Sequence, residues 1–315
     1  MKPMLRRLCC AAAVLLMAAN LAACSSGSDP SGGLQELMGK IAAGERDTEA
    51  PGNIPFKAKR GEENVQLSDW GDGISGDETH LQDGFLCISA KNEKKMIVQA
   101  VCGEQKYNYQ IRTDGSTNFI PLQMGNGSYL IRIMENVEGN RYVQLQDRSL
   151  EVQTEAPESP FLHPNIFVNY HSDSACVKLA ESLAEGCGTE LEYVRAVFDY
   201  VASHITYDDE LAATVEDGYI PDPDRTLQRG KGICFDYGSL TAAMLRSQGI
   251  PTKLITGYVG SDGFYHAWNA VYTRDEGWIT YEIRLTPQKW NRIDITFAVT
   301  GDASDGGKYI DRYEY

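Results

Sequence analysis

Residues 225–269 read RTLQRGKGICFDYGSLTAAMLRSQGIPTKLITGYVGSDGFYHAWN, and the fold turns on this stretch. Gly230 and Gly232 loosen a turn, and Cys234 stands at the mouth of a helix. Gly249-Ile250-Pro251 stops that helix, since glycine favours the left-handed turn that ends one and proline cannot continue it. Leu240, Ala243, Met244 and Ser247 recur at helical spacing, so the helix is expected to lay one face flat against a neighbour. A strand follows over Lys253–Val259, then a polar turn at 260–263, then a return strand with His266 as its second residue. On that strand His266, Trp268 and Ala270 share one face, and Ala267, Asn269 and Val271 the other.

This layout gives Cys234 a chemistry. A thiol at a helix N-terminus meets the positive end of the helix dipole and unpaired amide N–H groups, and both favour the nucleophilic thiolate. A histidine on an adjoining strand is placed to pair with that thiolate and later protonate a leaving group. A carboxylate arriving from another strand would complete a Cys-His-Asp arrangement, which needs convergence in space and not adjacency in sequence.

Gly-Lys-Gly-Ile-Cys234-Phe-Asp-Tyr-Gly, Met244-Leu-Arg-Ser-Gln-Gly-Ile-Pro-Thr252 and His266-Ala-Trp-Asn269 together resemble the transglutaminase-like superfamily of cysteine acyl-transfer enzymes, and within it the secreted bacterial group. The resemblance covers Ser172 to Tyr315. It implies a papain-like α+β domain, with the nucleophile at a helix N-terminus packed on an antiparallel sheet. It implies Cys234 as nucleophile and His266 as its proton-transfer partner. The family closes its core with Trp, three residues, then Asp-Pro-Thr. Here Trp290-Asn-Arg-Ile-Asp294-Ile-Thr296 matches, so Asp294 is the expected third member, with Ile295 in place of proline. Trp278-Ile-Thr-Tyr-Glu282 offers Glu282 at the same offset as an alternative. Gly232, Trp268, Asp236 and Tyr237 are expected near the site, the last two in structural roles.

The remainder supplies context. Lys2, Arg6 and Arg7 precede an apolar run, Leu8–Ala19, too short to span a bilayer as a permanent helix, so residues 1–23 read as a leader. Leu21-Ala22-Ala23-Cys24 resembles a bacterial lipoprotein signal, which implies lipid on Cys24 and a location outside the cell membrane, anchored to its outer face. Residues 24–62, opening Ser-Ser-Gly-Ser-Asp-Pro-Ser-Gly-Gly, have tether composition, with a short helix expected over Leu34–Ala43. Residues 63–156 carry apolar runs at Phe85–Ala90, Met96–Cys102, Tyr107–Arg112, Tyr129–Met134 and Tyr142–Leu145, broken by polar turns, and predict a β-sandwich of immunoglobulin-like size. Ala156-Pro-Glu-Ser-Pro160 marks a boundary, and residues 160–315 form the second domain.

There Ser172–Ala184 predicts one helix. Thr189-Glu-Leu-Glu192 reads as the capping box of the next, whose face is Val194, Val197, Phe198, Val201 and Ile205, with His204 capping its end. Tyr207-Asp208 precedes the nucleophile helix, as in the family, and Tyr309–Tyr315 predicts an edge strand. The fold class is therefore α+β: a sandwich, then the mixed domain.

The formal net charge of −15 disfavours nucleic acid and anionic lipid surfaces, and the leader carries only basic residues, so the processed chain is more acidic still. No cofactor is implied. Scattered acids without a calcium loop, and five His without ligand spacing, predict no metal. Cys87, Cys102, Cys176 and Cys187 are either paired in an oxidising compartment or small buried apolar residues. The expected partner is a protein or peptide substrate in the cell envelope, met by a monomer. Hydrolysis by the same residues, and a silent binding module on the same fold, are the competing readings.

Overall fold

The structure is a computed structural model that describes residues 64–216, 218–259, 264–274, 277–281, 298–299 and 309–315. All of these belong to one compact unit, Ala50–Tyr315. Leu34–Ala43, Cys24 and the leader, like Glu282 and Asp294, lie outside the described residues.

The strand-rich region comes first. Strands β1 (Ser68–Gly71), β2 (Ile74–Asp77), β3 (Phe85–Lys91) and β6 (Asp114–Pro121) form one antiparallel sheet in the order β1-β2-β3-β6. A second is built from β4 (Met96–Cys102), β5 (Gln105–Ile111), β7 (Gly127–Glu138) and β8 (Arg141–Val152), in the order β5-β4-β7-β8. Alternation divides the faces. Leu86, Ile88 and Ala90 of β3 share one core with Val98, Ala100, Tyr109, Ile131 and Ile133 of the other sheet, whereas Phe85 and Cys87 join Phe119 in a separate cluster. The run expected at Tyr142–Leu145 extends through the whole of β8, whose exposed, polar middle carries no apolar signal. Cys87, Cys102, Cys176 and Cys187 all stand as free thiols.

The mixed region follows. Its helices are α1 (Ala175–Ala184), α2 (Glu190–His204), α3 (Asp209–Thr214), α4 (Pro223–Arg229) and α5 (Cys234–Ser247). The antiparallel sheet runs β14 (Ala298–Val299), β13 (Gly277–Tyr281), β12 (Phe264–Thr273), β11 (Thr252–Val259), β15 (Tyr309–Glu314), so the strand expected near the end does take a sheet edge. β12 begins at Phe264, which makes His266 its third residue and not its second. Thr189 caps α2 by accepting from the Glu192 amide at 3.1 Å. The Glu192 carboxylate reaches back one residue further than the expected box, to the Gly188 amide at 2.6 Å. His204 caps its own helix through Nδ1, 2.9 Å from the Tyr200 carbonyl.

α5 departs from its expected single face, because Asp236 through Ser247 are all buried. It runs through the middle of the mixed region, with α1, α2 and α4 packed beside it and β11 and β12 against it. A polar residue on such a helix needs internal partners. Arg246, fully buried, donates through Nε to the Thr252 carbonyl (2.8 Å), and through its terminal nitrogens to those of His163 (2.8 Å) and Tyr315 (2.6 Å). Burial pulls its pKa down to about 10, which leaves it a cation at neutral pH. The helix ends in a Schellman turn: Ile250 N–H donates to Leu245 C=O, Gly249 N–H to Arg246 C=O, and Gly249 adopts φ 81°.

A seam of rings joins the two regions. Tyr107 of β5 meets Tyr313 at 5.4 Å, Tyr109 meets Tyr315 at 6.3 Å, Tyr315 meets Phe167 at 4.4 Å, and Phe167 meets Phe235 of α5 at 5.5 Å. Gln123 Nε2 adds a hydrogen bond to the Glu314 carbonyl at 2.9 Å.

Candidate active site

The lead-in to α5 is built by caps. Asp222 accepts from the Arg225 amide at 3.0 Å and Pro223 occupies the first turn, which starts α4; Gly230, at φ 62°, ends it. The chain then pairs in parallel as β10 (Lys231–Gly232) with β9 (Thr206–Tyr207), in the register Lys231↔Thr206 and Gly232↔Tyr207. Asp208, buried, caps α3 through the Leu211 amide and meets Lys231 Nζ at 3.1 Å. The Leu211 amide first, then Lys231, hold its carboxyl below the usual carboxylate range. These contacts fix the peptide that delivers Ile233 as N-cap and Cys234 as the first residue of α5.

Asp236 anchors that delivery from inside the helix. Its Oδ2 accepts from the Ile233 amide at 2.9 Å and its Oδ1 from the Tyr219 hydroxyl at 2.7 Å. The carboxylate is 2% exposed, and burial pushes its pKa up. Gly232 makes room for it: a Cβ there would lie 2.6 Å from Asp236 Cβ and 2.9 Å from Oδ2. Tyr237 faces the other way and donates to the Ile205 carbonyl at 2.6 Å.

β12 meets the helix start edge-on. The Tyr272 amide donates to the Pro251 carbonyl, so even-numbered amides of β12 point to β11 and odd-numbered ones to the opposite side. On that opposite side the described part of β13 ends at Tyr281, across from Asn269. Two residues beyond, the Ala267 amide lies near enough to the Cys234 sulfur to favour its thiolate form. Asn269 secures the junction, with Nδ2 donating to the Gly238 carbonyl at 3.0 Å and to that of Lys253 at 3.1 Å. Gly238 lets the helix approach so closely, since a Cβ there would sit 2.6 Å from Leu254 Cδ1.

The sulfur therefore sits beside the peptide that joins His266 to Ala267, past the end of the described part of β13. Alternation along β12 sends Ala267 and Asn269 toward α5, and His266 with Trp268 to the other face. There Trp268 packs with Ile255, Ala270 and Trp278. His266 is half-buried.

Burial pushes the Cys234 thiol above its ordinary range. The amides of Ala267, Phe235 and Cys234 itself pull the other way, as expected of a helix start, and the nearby Asp236 carboxylate adds to the upward push. The net direction is upward, so the thiolate preference expected from helix position alone is outweighed by desolvation. Tyr207, half-buried in β9, feels the Cys234 sulfur as a neighbouring charge. Sequence reasoning named Tyr207 only as half of a familiar pair, and passed over Tyr219, which sits in an irregular segment with no periodic signal.

A groove of about 590 Å3 between β5 and β15, lined by Lys106, Tyr107, Gln123, Arg312 and Tyr313 among others, contains none of these site residues. Among the described residues no cluster of three or more His, Cys, Asp or Glu is arranged to hold a metal ion. No helix among them is long and apolar enough to cross a membrane.

The family model described as Transglutaminase-like superfamily matches residues 177–283. Kyphoscoliosis peptidase of Mus musculus is 33% identical over 130 residues, which cover 38% of this chain and 18% of that protein. The chain thus spans less than a fifth of the length of that curated relative. Among solved structures, a candidate cysteine protease from Cytophaga hutchinsonii is similar at TM-score 0.36 and 16% identity, over 72% of this chain and 80% of that one. The periplasmic domain of TgpA from Pseudomonas aeruginosa is similar at TM-score 0.32 and 14% identity, over 74% of this chain and 75% of that one.

Proposed function

We propose that this chain, whose residues 177–283 form a transglutaminase-like superfamily domain, is a cysteine acyl-transfer enzyme of the cell surface. The observation that carries the reading is the seat of Cys234. Amide N–H groups in the first turn of α5 and at Ala267, immediately after His266, favour the thiolate form of its sulfur. Such a seat stabilises negative charge on sulfur, and the same kind of amide donor can hold an oxyanion.

In the proposed reaction the Cys234 thiolate attacks a glutamine carboxamide or peptide carbonyl. A C–S bond forms and the carbonyl π pair moves to oxygen. The oxyanion is held by the Cys234 amide, with the Tyr207 hydroxyl as the second donor. Collapse breaks the C–N bond, and the amine leaves with a proton from the His266 imidazolium, giving a thioester. An incoming amine then attacks, His266 accepts its proton, and the C–S bond breaks to return the thiolate. Asp294 orients His266, with Glu282 as the alternative. Lipid on Cys24 and the 24–62 tether hold the enzyme, a monomer, at the outer membrane face, where envelope proteins or peptides are its substrates. Residues 63–156 and 160–315 are its two domains.

Hydrolysis is the second reading: water replaces the amine, and the curated relative bears the name peptidase. Incubating the protein with a glutamine-bearing peptide, with and without a lysine donor, and weighing the products separates the two. A mass gain matching the joined donor supports transfer; peptide cleavage or deamidation alone supports hydrolysis. Products that form equally well with Cys234→Ala would end both.

A further inference from the structure

A buried carboxylate two residues from a nucleophilic sulfur is unusual, because its charge opposes the thiolate. Asp236 is 2% exposed and lies on the same helical turn as Cys234. Its two oxygens are both committed, one to the Ile233 amide at 2.9 Å and one to the Tyr219 hydroxyl at 2.7 Å. Gly232 is shaped to it, since a Cβ at that position would fall 2.6 Å from Asp236 Cβ. The clamp therefore joins three separate pieces of chain: the β10 exit, the first turn of α5, and the segment that carries Tyr219. That segment also rests on the strand-rich region, where Gly218 leaves only 3.0 Å between its would-be Cβ and Gln110 Oε1 of β5.

We propose that Asp236 is a positioning residue that fixes Cys234 at the start of α5 and, by its charge, holds the thiol protonated until a substrate or its proton-transfer partner draws the proton off. The proposal rests on Cys234 being the reactive thiol. Its energetic logic is a trade. The carboxylate gives the N-cap amide a strong acceptor, worth more than a neutral one. The same charge disfavours a second negative charge on the adjacent sulfur.

The charged and titratable groups around the pair come from each packed element. Arg225 and Arg229 of α4 favour the ionised carboxylate, Tyr219 donates to it, Tyr207 of β9 feels the sulfur, and His266 stands on β12 next to Ala267, whose amide favours the thiolate. Burial lifts the carboxyl, which the Ile233 amide, the Tyr219 hydroxyl and the two arginines counter; burial first, then the carboxylate, lifts the thiol.

Asp236→Asn separates charge from shape. The amide oxygen still accepts from Ile233 N–H, and the amide NH2 donates to the Tyr219 oxygen, which turns from donor to acceptor. The experiment titrates the alkylation of Cys234 by iodoacetamide against pH, reading that one thiol by peptide mass, and needs no substrate. The midpoint for D236N is expected at lower pH than for the native protein, with alkylation at pH 7 roughly 3- to 10-fold faster. A midpoint unchanged or moved upward in a folded D236N protein overturns the electrostatic role.

Tyr219→Phe tests the clamp if D236N fails to fold. It keeps the charge and loses one anchor. The alkylation midpoint is expected to stay in place while the Ile233 amide exchanges with deuterium several-fold faster. Native exchange at Ile233 in Y219F overturns the positioning role. Because both readouts concern the thiol and its helix, they stand or fall apart from the acyl-transfer assay: a native protein that transfers no acyl group, with a midpoint that still shifts in D236N, speaks against the proposed reaction and not against Asp236.

Discussion

Replacing Arg246 with alanine removes three hydrogen-bond donors from the interior at once. The carbonyls of Thr252 and His163, each at 2.8 Å, lose this donor together, and that of Tyr315, at 2.6 Å, keeps only the Leu254 amide at 2.9 Å. An orphaned buried acceptor costs about 1–3 kcal/mol, and a void the size of the deleted side chain adds to it. Water entering that void offsets part of the loss, so the net destabilisation is expected at about 4 kcal/mol, near the cost of breaking a buried charged network. For a chain of this size that corresponds to a fall in melting temperature of about 8–16 °C. Arg246→Met refills most of the volume and supplies no donor, so it is expected to lose nearly as much. Arg246→Lys keeps one donor head and is expected to fall between. Urea unfolding followed by circular dichroism measures all three. Cys234 lies twelve residues earlier on the same helix, about 18 Å away, so its alkylation rate in the folded protein is expected to stay native. A loss below about 1 kcal/mol in R246A, or an R246M protein as stable as the native one, would refute the reasoning that hydrogen bonds, and not packing, hold this junction.

Gly232→Ala drives a methyl group into Asp236, and an overpacking cost of about 1–3 kcal/mol is expected, seen as a lower melting temperature together with slower alkylation of Cys234. Because burial lifts the thiol, alkylation of the native protein is expected to climb steadily with pH between 7 and 9; the thiolate fraction grows as pH rises toward a pKa above the ordinary thiol value. A plateau already reached below pH 7 would mean that His266 holds the sulfur as an ion pair in the resting protein. Asp294→Asn is expected to lower kcat by two orders of magnitude or more, on the scale of other losses of a histidine-orienting carboxylate, and Glu282→Gln to leave it within a few-fold of native. The reverse pattern in steady-state turnover would transfer the third role to Glu282.

Much of this site is written in short-range chemistry. The glycine-bracketed Cys234, the stop at Gly249-Ile250-Pro251 and the two-strand return to His266 are local patterns, and local patterns are what periodicity and turn chemistry report. Thr189 and His204 announced the ends of α2 for the same reason. The short helices α3 and α4 went unread, because six and seven residues leave no apolar period to notice, although Asp208 caps one and Asp222-Pro223 and Gly230 bound the other. Arg246 had no signal at all. Its acceptors lie 69 and 83 residues away as well as six, and an arginine between Leu245 and Ser247 reads as a solvated helix residue until the fold surrounds it. The upward pull on the Cys234 thiol was hidden likewise, because position on a helix is a sequence property and desolvation is not. Tyr219 is the sharpest omission: a hydroxyl that holds Asp236 in the first turn of α5 comes from a stretch that sequence alone marks only as irregular.

The ring-to-ring seam from Tyr107 and Tyr109 to Phe235 has a practical bearing on trimming this protein. A minimal fragment starting near residue 160 would leave Phe167, Tyr313 and Tyr315 facing water, and would deprive the Glu314 carbonyl of the amide that now caps it. Those rings back onto Phe235, the residue after Cys234, so the wound would open behind that sulfur. Whoever shortens the chain would do better to keep the preceding strands attached, as the wall against which α5 leans.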